Sequence, residues 1–555
     1  MIQTITVRHR IGGDEPFPPF SARNFRDLSS GIAVGSTLAS GFAESQILLS
    51  GATLAQCVYL SGQFRSPALC SGLGHCGLCR VRFISPPPPV LDAEKSVLSH
   101  HDLDAGWRLA CCHVPKGGEH ILVPALPVAS LSALSVASTK REGRYGLAVD
   151  LGTTSIHWRG VALDEGEAGD GLPHGVMTNP QMGAGSDVVS RIAYAATEDG
   201  AETLRRLVVD ALVGIVATCA TEGVCAEEVC VAANPAMTGI LLGYDTRSLA
   251  HAPCSLPCAG NAEVRVSGLP PLYVPPQISA FVGGDISAGY ASLALDPDMA
   301  KPEYPFLLAD LGTNGECVLA LSPGEALAAS LPMGPALEGI NLAFGSMAIP
   351  GAVTEYTLTP HGLDPVVMGG TAPVGITATG YLSLLRILRA SNLVTESGLF
   401  AYPKDVPLAG RIGAGENGEN GEKSLRLPGK MALYASDVEE LLKVKAAFSL
   451  AVSQLLQTAS LSAAKISRFY FAGALGLHVP ADALISLGFV PPGIGKRIVP
   501  VGNTSLAGAS LFLQRKAIRE ACARWAETVT TLDLTANAAF GKSFAEHMVF
   551  AWKHP

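Results

Sequence analysis

Three cysteines crowd one short stretch, CSGLGHCGLC (Cys70–Cys79), at the spacing C-x5-C-x2-C, and further candidates follow about 30 residues later in WRLACC, Trp107–Cys112. Thiolates so placed can share one metal centre. Gly72, Gly74 and Gly77 let the backbone fold closely round bound atoms and turn N–H groups toward sulfur. A [2Fe–2S] cluster requires four thiolates, two per iron, and a loop supplying three with one from a distant strand meets that need. A structural zinc site would want a second separated pair, which the adjacent Cys111 and Cys112 do not form. Cys57, in the apolar stretch LAQCVYL, reads as a core residue.

A second kind of chemistry is written twice. VDLGTTS (Val149–Ser155) and ADLGTNGEC (Ala309–Cys317) each end a hydrophobic strand in Asp and enter a Leu-Gly-Thr turn. Gly and Thr offer backbone N–H and hydroxyl donors to phosphate oxygens, while the Asp can hold Mg²⁺ directly or through water. A third segment, YFAGALGLHV (Tyr470–Val479), is a strand followed by a turn that can lie beneath an adenosine, with Gly473 and Gly476 leaving room. The candidate catalytic residues are Asp150 and Asp310. Candidate ATP contacts are Gly152, Thr153, Thr154, Gly312, Thr313, Asn314, Gly315, Glu316, Gly473 and Gly476. Two copies separated by 160 residues suggest an internally duplicated domain.

The elements that must position these groups are legible in outline. At 555 residues the chain exceeds one hydrophobic core, and several domains are expected. Residues 1–126 form a first domain containing the strand-like Thr4–His9; residues 127–143 are small and polar enough for a linker. From 144 to 555, short Val/Leu/Ala strands alternate with helical patterns such as Asp187–Ala196, Glu202–Ala220 and Asp437–Ala463, which indicates α/β architecture. The polar segment Pro16–Ser45 shows no clear periodicity, and Gly413–Lys423 reads as a polar hairpin tip. A net charge of −9 without a long Lys/Arg run argues against nucleic acid and anionic membranes as partners. The N-terminus MIQTITVRHRIGGDEP has no apolar signal core, and the apolar stretch Leu207–Ala220 is interrupted by Asp210. A cytoplasmic location is therefore expected, with reduced or metal-bound thiols among the 13 Cys.

The two Asp-Leu-Gly-Thr hairpins and the later turn, in that order, resemble the superfamily of acetate and sugar kinases, heat-shock ATPases and actin. That resemblance implies two ribonuclease-H-like halves closing over ATP and Mg²⁺. The cysteine loop resembles plant-type ferredoxins, which implies a β-grasp domain holding its cluster through Cys70, Cys76, Cys79 and Cys111; the Arg-Leu-Ala-Cys context selects Cys111 over Cys112. Such a ferredoxin module ahead of such an ATPase resembles the reductive activators of corrinoid proteins. Segments of that character are NPQMGAGSDVVSRI (Asn179–Ile192), AANPAMTGILLG (Ala232–Gly243), FVGGDISAG (Phe281–Gly289), GPALEGINLAFGSMAIPGAV (Gly334–Val353) and GNTSLAGA (Gly502–Ala509). One departure is GITATG (Gly375–Gly380), where a Gly-Ile-Cys-Gly-Ser-Gly type turn is expected; its part in nucleotide contact is left open.

The resemblance implies ATP-dependent reduction of Co(II) to Co(I) in a corrinoid protein of a methyltransferase system, an upstream low-potential electron donor, and a homodimer. Plant-type clusters sit near roughly −400 mV. A cobalt couple below that value makes transfer uphill by about 2.3 kcal/mol per 100 mV for one electron, within reach of ATP. Two rival readings are an iron–sulfur redox-sensing or binding protein whose ATPase fold does not turn over, and another ATP-coupled donor such as a dehydratase activator.

Overall fold

The computed structural model describes residues 4–10, 42–49, 52–124, 141–164, 171–414 and 422–553, apart from positions 68, 75, 313, 340, 371 and 537. Most of the expected linker and of Pro16–Ser45, and the tip of Gly413–Lys423, lie outside those residues.

The N-terminal module is a β-grasp. Its five-stranded sheet runs Phe42–Leu48, Thr4–Arg10, His120–Leu122, Arg80–Phe83, Trp107–Leu109. Thr4–Arg10 pairs antiparallel with Phe42–Leu48 and parallel with His120–Leu122. Alternate residues Ile5 and Val7 face a core completed by Ile47, Val81, Leu109 and Ile121 and by Leu54, Cys57 and Val58 of the helix Leu54–Tyr59. Cys57 is thus a core residue. Thr53 starts that helix as a reciprocal cap with Gln56.

The remaining chain is built from two sheets of one design. In the first, Ala262–Val264, Leu272–Val274, Ala226–Ala233, Tyr145–Leu151, Ser155–Ala162 and His174–Thr178 lie side by side. In the second the order is Ile498–Gly502, Phe469–Ala472, Phe306–Leu311, Asn314–Ser322, Glu325–Pro332, Val529–Leu532. Each has three antiparallel strands in chain order, with a later strand added parallel to the first. That repetition is the ribonuclease-H-like duplication expected from the two hairpins. The strand cores are apolar on both faces because helices cover both sides. Glu198–Thr221 packs on the first sheet and Ala435–Thr458 on the second. The latter helix stops before the expected Ala463, where Ser460 adopts a left-handed φ of +49°.

Between the sheets, helices Gly284–Tyr290 and Thr504–Gln514 cross at close range. A Cβ at Gly508 would overlap the carbonyl of Ala288. This crossing brings Asp285 and the start of the second helix into the cleft that the two hairpins share. Gly508→Ala should therefore force the helices apart and destabilise the protein by about 1–3 kcal/mol, as overpacked sites do. Gly541→Ala, in open space on the helix Phe540–His547, should not destabilise it. Denaturant melts that place both variants together would contradict this packing account.

Candidate functional site

The cysteine loop folds into a cavity of about 230 Å³ lined by Cys70, Cys76, Cys79 and Cys111, with Thr53 and Gln56 from the neighbouring helix. Met182, Gly183 and Ala184, from the lobe built on the first six-stranded sheet, complete its wall. The four thiols stand as two pairs, Cys70 with Cys76 and Cys79 with Cys111. Among the described residues no three His, Cys, Asp or Glu side chains converge as on a single ion. Two pairs are the disposition that divides four thiolates between two irons. The bond to Cys70, then burial, holds the Cys76 thiol well above its ordinary range; the bond to Cys79 and burial do the same for Cys111. Four thiolates packed this closely need positive charge among them, which a cluster's irons supply. Cys112 lies 3.8 Å from Cys111, sulfur to sulfur, but does not line the cavity.

Glu94, which sequence reasoning missed, fixes the strand leading to Cys111. Its buried carboxylate accepts from Leu109 N at 2.7 Å and from Leu91 N at 2.9 Å, and meets His113 Nε2 at 2.9 Å. Arg80 holds the other side of the loop by donating to Gly77 O at 3.1 Å.

The structure also gathers the expected nucleotide residues. Strands Tyr145–Leu151 and Ser155–Ala162 form a hairpin with Gly152, Thr153 and Thr154 at its turn; Phe306–Leu311 and Asn314–Ser322 form the second, with Gly312 at its turn and Asn314, Gly315 and Glu316 on the returning strand. Thr313 lies outside the described residues. Glu316 is the cross-strand partner of Asp310. The third segment differs from the flat turn expected: Gly473, at φ +81°, leads the strand Phe469–Ala472 straight into the short helix Gly473–His478. A Cβ at Gly473 would come 2.8 Å from Asp310 Oδ1, so only glycine allows this approach. In GITATG, Thr377 caps the helix Ala378–Ala390, and its hydroxyl and that of Thr379 reach Val353 O and Thr354 O.

Asp150 is held by a segment from the far end of the chain: Asn503 Nδ2 donates to Oδ2 at 2.8 Å and Ser505 Oγ to Oδ1 at 2.9 Å. Burial raises its pKa, opposed by those two bonds and by His157. Burial pushes Asp285 and Asp310 up to about 7, with the neighbouring Asp150 adding to both. Glu316 is raised well above its usual range by burial and by Asp285 and Asp310. Asp150, Asp285, Asp310 and Glu316 thus gather carboxylates in the cleft between the two hairpins, where positive charge would relieve their repulsion. Asp285, Asn503 and Ser505 were not singled out in the sequence, although the segments carrying them were.

Residues 145–298 match the family described as the RACo middle region, and residues 305–554 match the C-terminal domain of RACo, the ASKHA domain. The chain belongs to the RACo family. Residues 50–116 of this RACo-family chain match the 2Fe-2S iron-sulfur cluster binding domain, so the N-terminal module binds a [2Fe–2S] cluster and the ASKHA lobes bind ATP. The corrinoid activation enzyme RamQ of Eubacterium limosum is 26% identical over 442 residues, 75% of this chain and 72% of that protein. A reductase of the Co(II) methylated amine-specific corrinoid protein from Methanosarcina barkeri is 26% identical over 427 residues, 67% of this chain and 70% of that one. A solved reductive activator for a corrinoid, iron-sulfur protein shares the fold at a TM-score of 0.64 and 23% identity, covering 91% of this chain and 97% of that one. No helix among the described residues is long and apolar enough to cross a membrane.

Two expectations follow for this RACo-family chain. Ala at Cys70, Cys76, Cys79 or Cys111 should abolish the visible spectrum of anaerobically purified protein, whereas Ala at Cys57 or Cys112 should leave about two irons per chain; iron and sulfide analysis decides between these. Asp285 and Asp310 remain protonated to about pH 7 when folded but only to about 4 when unfolded. Folded values that are raised contribute stability fully below about pH 4 and lose it as pH rises through about 7. Thermal scans of nucleotide-free protein should show stability falling across that window, less steeply in Asp310→Asn; parallel profiles would refute the assignment.

Proposed function

We propose that this chain reductively activates a corrinoid protein, delivering one electron to Co(II) to regenerate Co(I) at the expense of ATP. The observation that carries the reading is the junction of two sites in one chain: the cavity of Cys70, Cys76, Cys79 and Cys111 is walled in part by the ATPase lobe itself. When bound, the [2Fe–2S] cluster supplies a one-electron carrier of low potential. The thiols hold it, and Met182, Gly183 and Ala184 shield it on one side.

Gly152, Thr153 and Thr154 in one lobe, and Gly312 to Glu316 in the other, offer donors to phosphate. Asp150 and Asp310 would hold Mg²⁺, with Asp285 and Glu316 beside them, and the ion would offset the phosphate charge there; nucleotide binding between the lobes is the source of work for uphill transfer. The relatives named for corrinoid activation support the same partner class here. An upstream low-potential donor belongs to this reading, because the carrier must be re-reduced after each transfer. A homodimer is carried over with the resemblance.

The test is Co(I) absorbance after reduced protein is mixed with a Co(II) corrinoid protein. Cobalt reduction should require ATP, and the variants Cys76→Ala and Asp310→Asn should both fail, the first while still binding nucleotide and the second with its cluster still reducible. Equal Co(I) formation without ATP would make the chain a simple electron donor and overturn the proposal.

A further inference from the structure

One short segment joins the two sites. All three carbonyls of the phosphate turn Gly152–Thr154 are bonded to it. Asn179 Nδ2 donates to Gly152 O at 2.9 Å, Asn179 N donates to Thr154 O at 2.8 Å, and the buried Arg191 guanidinium donates to Thr153 O. Arg191 also donates to Gly185 O and to Gln181 Oε1, each at 3.1 Å, which ties residues 179–191 into one unit.

The same unit reaches the cluster. Met182, Gly183 and Ala184 form part of the cavity wall. Ser71, adjacent to Cys70, donates to Asp187 Oδ2 at 2.7 Å and accepts from Ser186 N at 3.0 Å. Ser71 stands at φ +53°, a region that a non-glycine residue occupies at a cost, so these bonds hold the cysteine loop in a conformation it would not otherwise prefer. Asp187 in turn accepts from Ser190 N at 2.8 Å, capping the helix Val188–Tyr194 whose Arg191 returns to the phosphate turn.

We propose that Asp187 is a positioning residue that latches the cluster loop through Ser71, and that Mg-nucleotide at the Gly152–Thr154 turn releases it. Phosphate binding reorients the turn's peptide planes to present their N–H groups. Their carbonyls move with them, and all three carry residues 179–191. The module itself stays in place, because Leu60 is buried in the core of the first lobe and its carbonyl accepts from Arg206 at 3.3 Å. Release thus falls on the cluster loop, which swings off Ser186 and Asp187 and opens the cavity, while Gly183 and Ala184 stay packed against Leu60. The inference rests on the reading above, in which the electron leaves for an outside partner.

Iron removal from anaerobic holoprotein by a ferrous chelator reads the latch directly. Adding Mg²⁺ and a non-hydrolysable ATP analogue should accelerate removal on the order of tenfold, within the range of coupled sites. Ser71→Gly removes the hydroxyl while suiting the positive φ, and Asp187→Ser keeps a capping oxygen but is too short to reach Ser71. Both should lose iron quickly without nucleotide and gain nothing further on its addition, and calorimetry should find nucleotide bound up to about tenfold more tightly, because the coupling is reciprocal. A parent rate indifferent to bound nucleotide, or either variant as slow as the parent without it, overturns the latch. Co(I) formation by the same parent preparation separates the two readings. ATP-driven reduction with nucleotide-independent iron loss defeats the latch alone, while a responding cluster with no ATP-driven reduction defeats the corrinoid reading alone.

Discussion

The turn Gly152–Thr154 has its shape imposed from outside its own strands, by three asparagines used in one way. Asn179, Asn234 and Asn503 each start a helix, accepting a backbone N–H with Oδ1 at 2.8–2.9 Å. Each then has Nδ2 free to face the hairpin, where it donates to Gly152 O, Thr153 Oγ1 and Asp150 Oδ2 respectively. A buried amide satisfied at both ends costs little, but one stripped of either partner leaves a desolvated polar group at about 1–3 kcal/mol. The three helices and the turn are therefore coupled, so that a shift of the turn is passed to the helix starts bonded to it.

Both functional sites concentrate groups that cannot all carry their charge at once. Burial raises Asp285, Asp310 and Glu316, with neighbouring carboxylates adding to each, and hydrogen bonds to Cys70 and Cys79, with burial, raise Cys76 and Cys111. Binding of a positively charged partner releases protons and relieves that repulsion, so occupancy and ionisation are linked at each site. The close approach of Gly473 to Asp310 shows how little space the second hairpin leaves for anything but its ligand.

The chemistry-bearing loops were legible because they are local. C-x5-C-x2-C, Asp-Leu-Gly-Thr and the strand–helix alternation each lie within about ten residues, and the repeated hairpin foretold the repeated sheet. What escaped depends on distance along the chain. Asn503 and Ser505 meet Asp150 across some 350 residues, and Glu94 works through backbone donors that no side-chain pattern reveals. Strand Phe42–Leu48 was overlooked for another reason: it is an edge strand in which Ile47 alone of the described side chains is buried, so its hydrophobic alternation is nearly silent. Asp285 was passed over because its segment shows no partner of its own; the helix crossing at Gly508 carries it into the cleft.

Leu60 carries a consequence for how such chains can be assembled. It belongs by sequence to the ferredoxin module but by packing to the core of the first ATPase lobe, beside Ala184 and Leu207. Gly183 accommodates it, since a Cβ there would press within 3.0 Å of Leu60 and Tyr59. The module is thus not a bead on a string. A recombination event, or a designer, exchanging it at the linker would import a surface that no longer fits the Gly183 hollow and leave a gap in a foreign core. The heritable unit is the module together with its seat, and substitutions at Leu60 and Gly183 are constrained to change in concert.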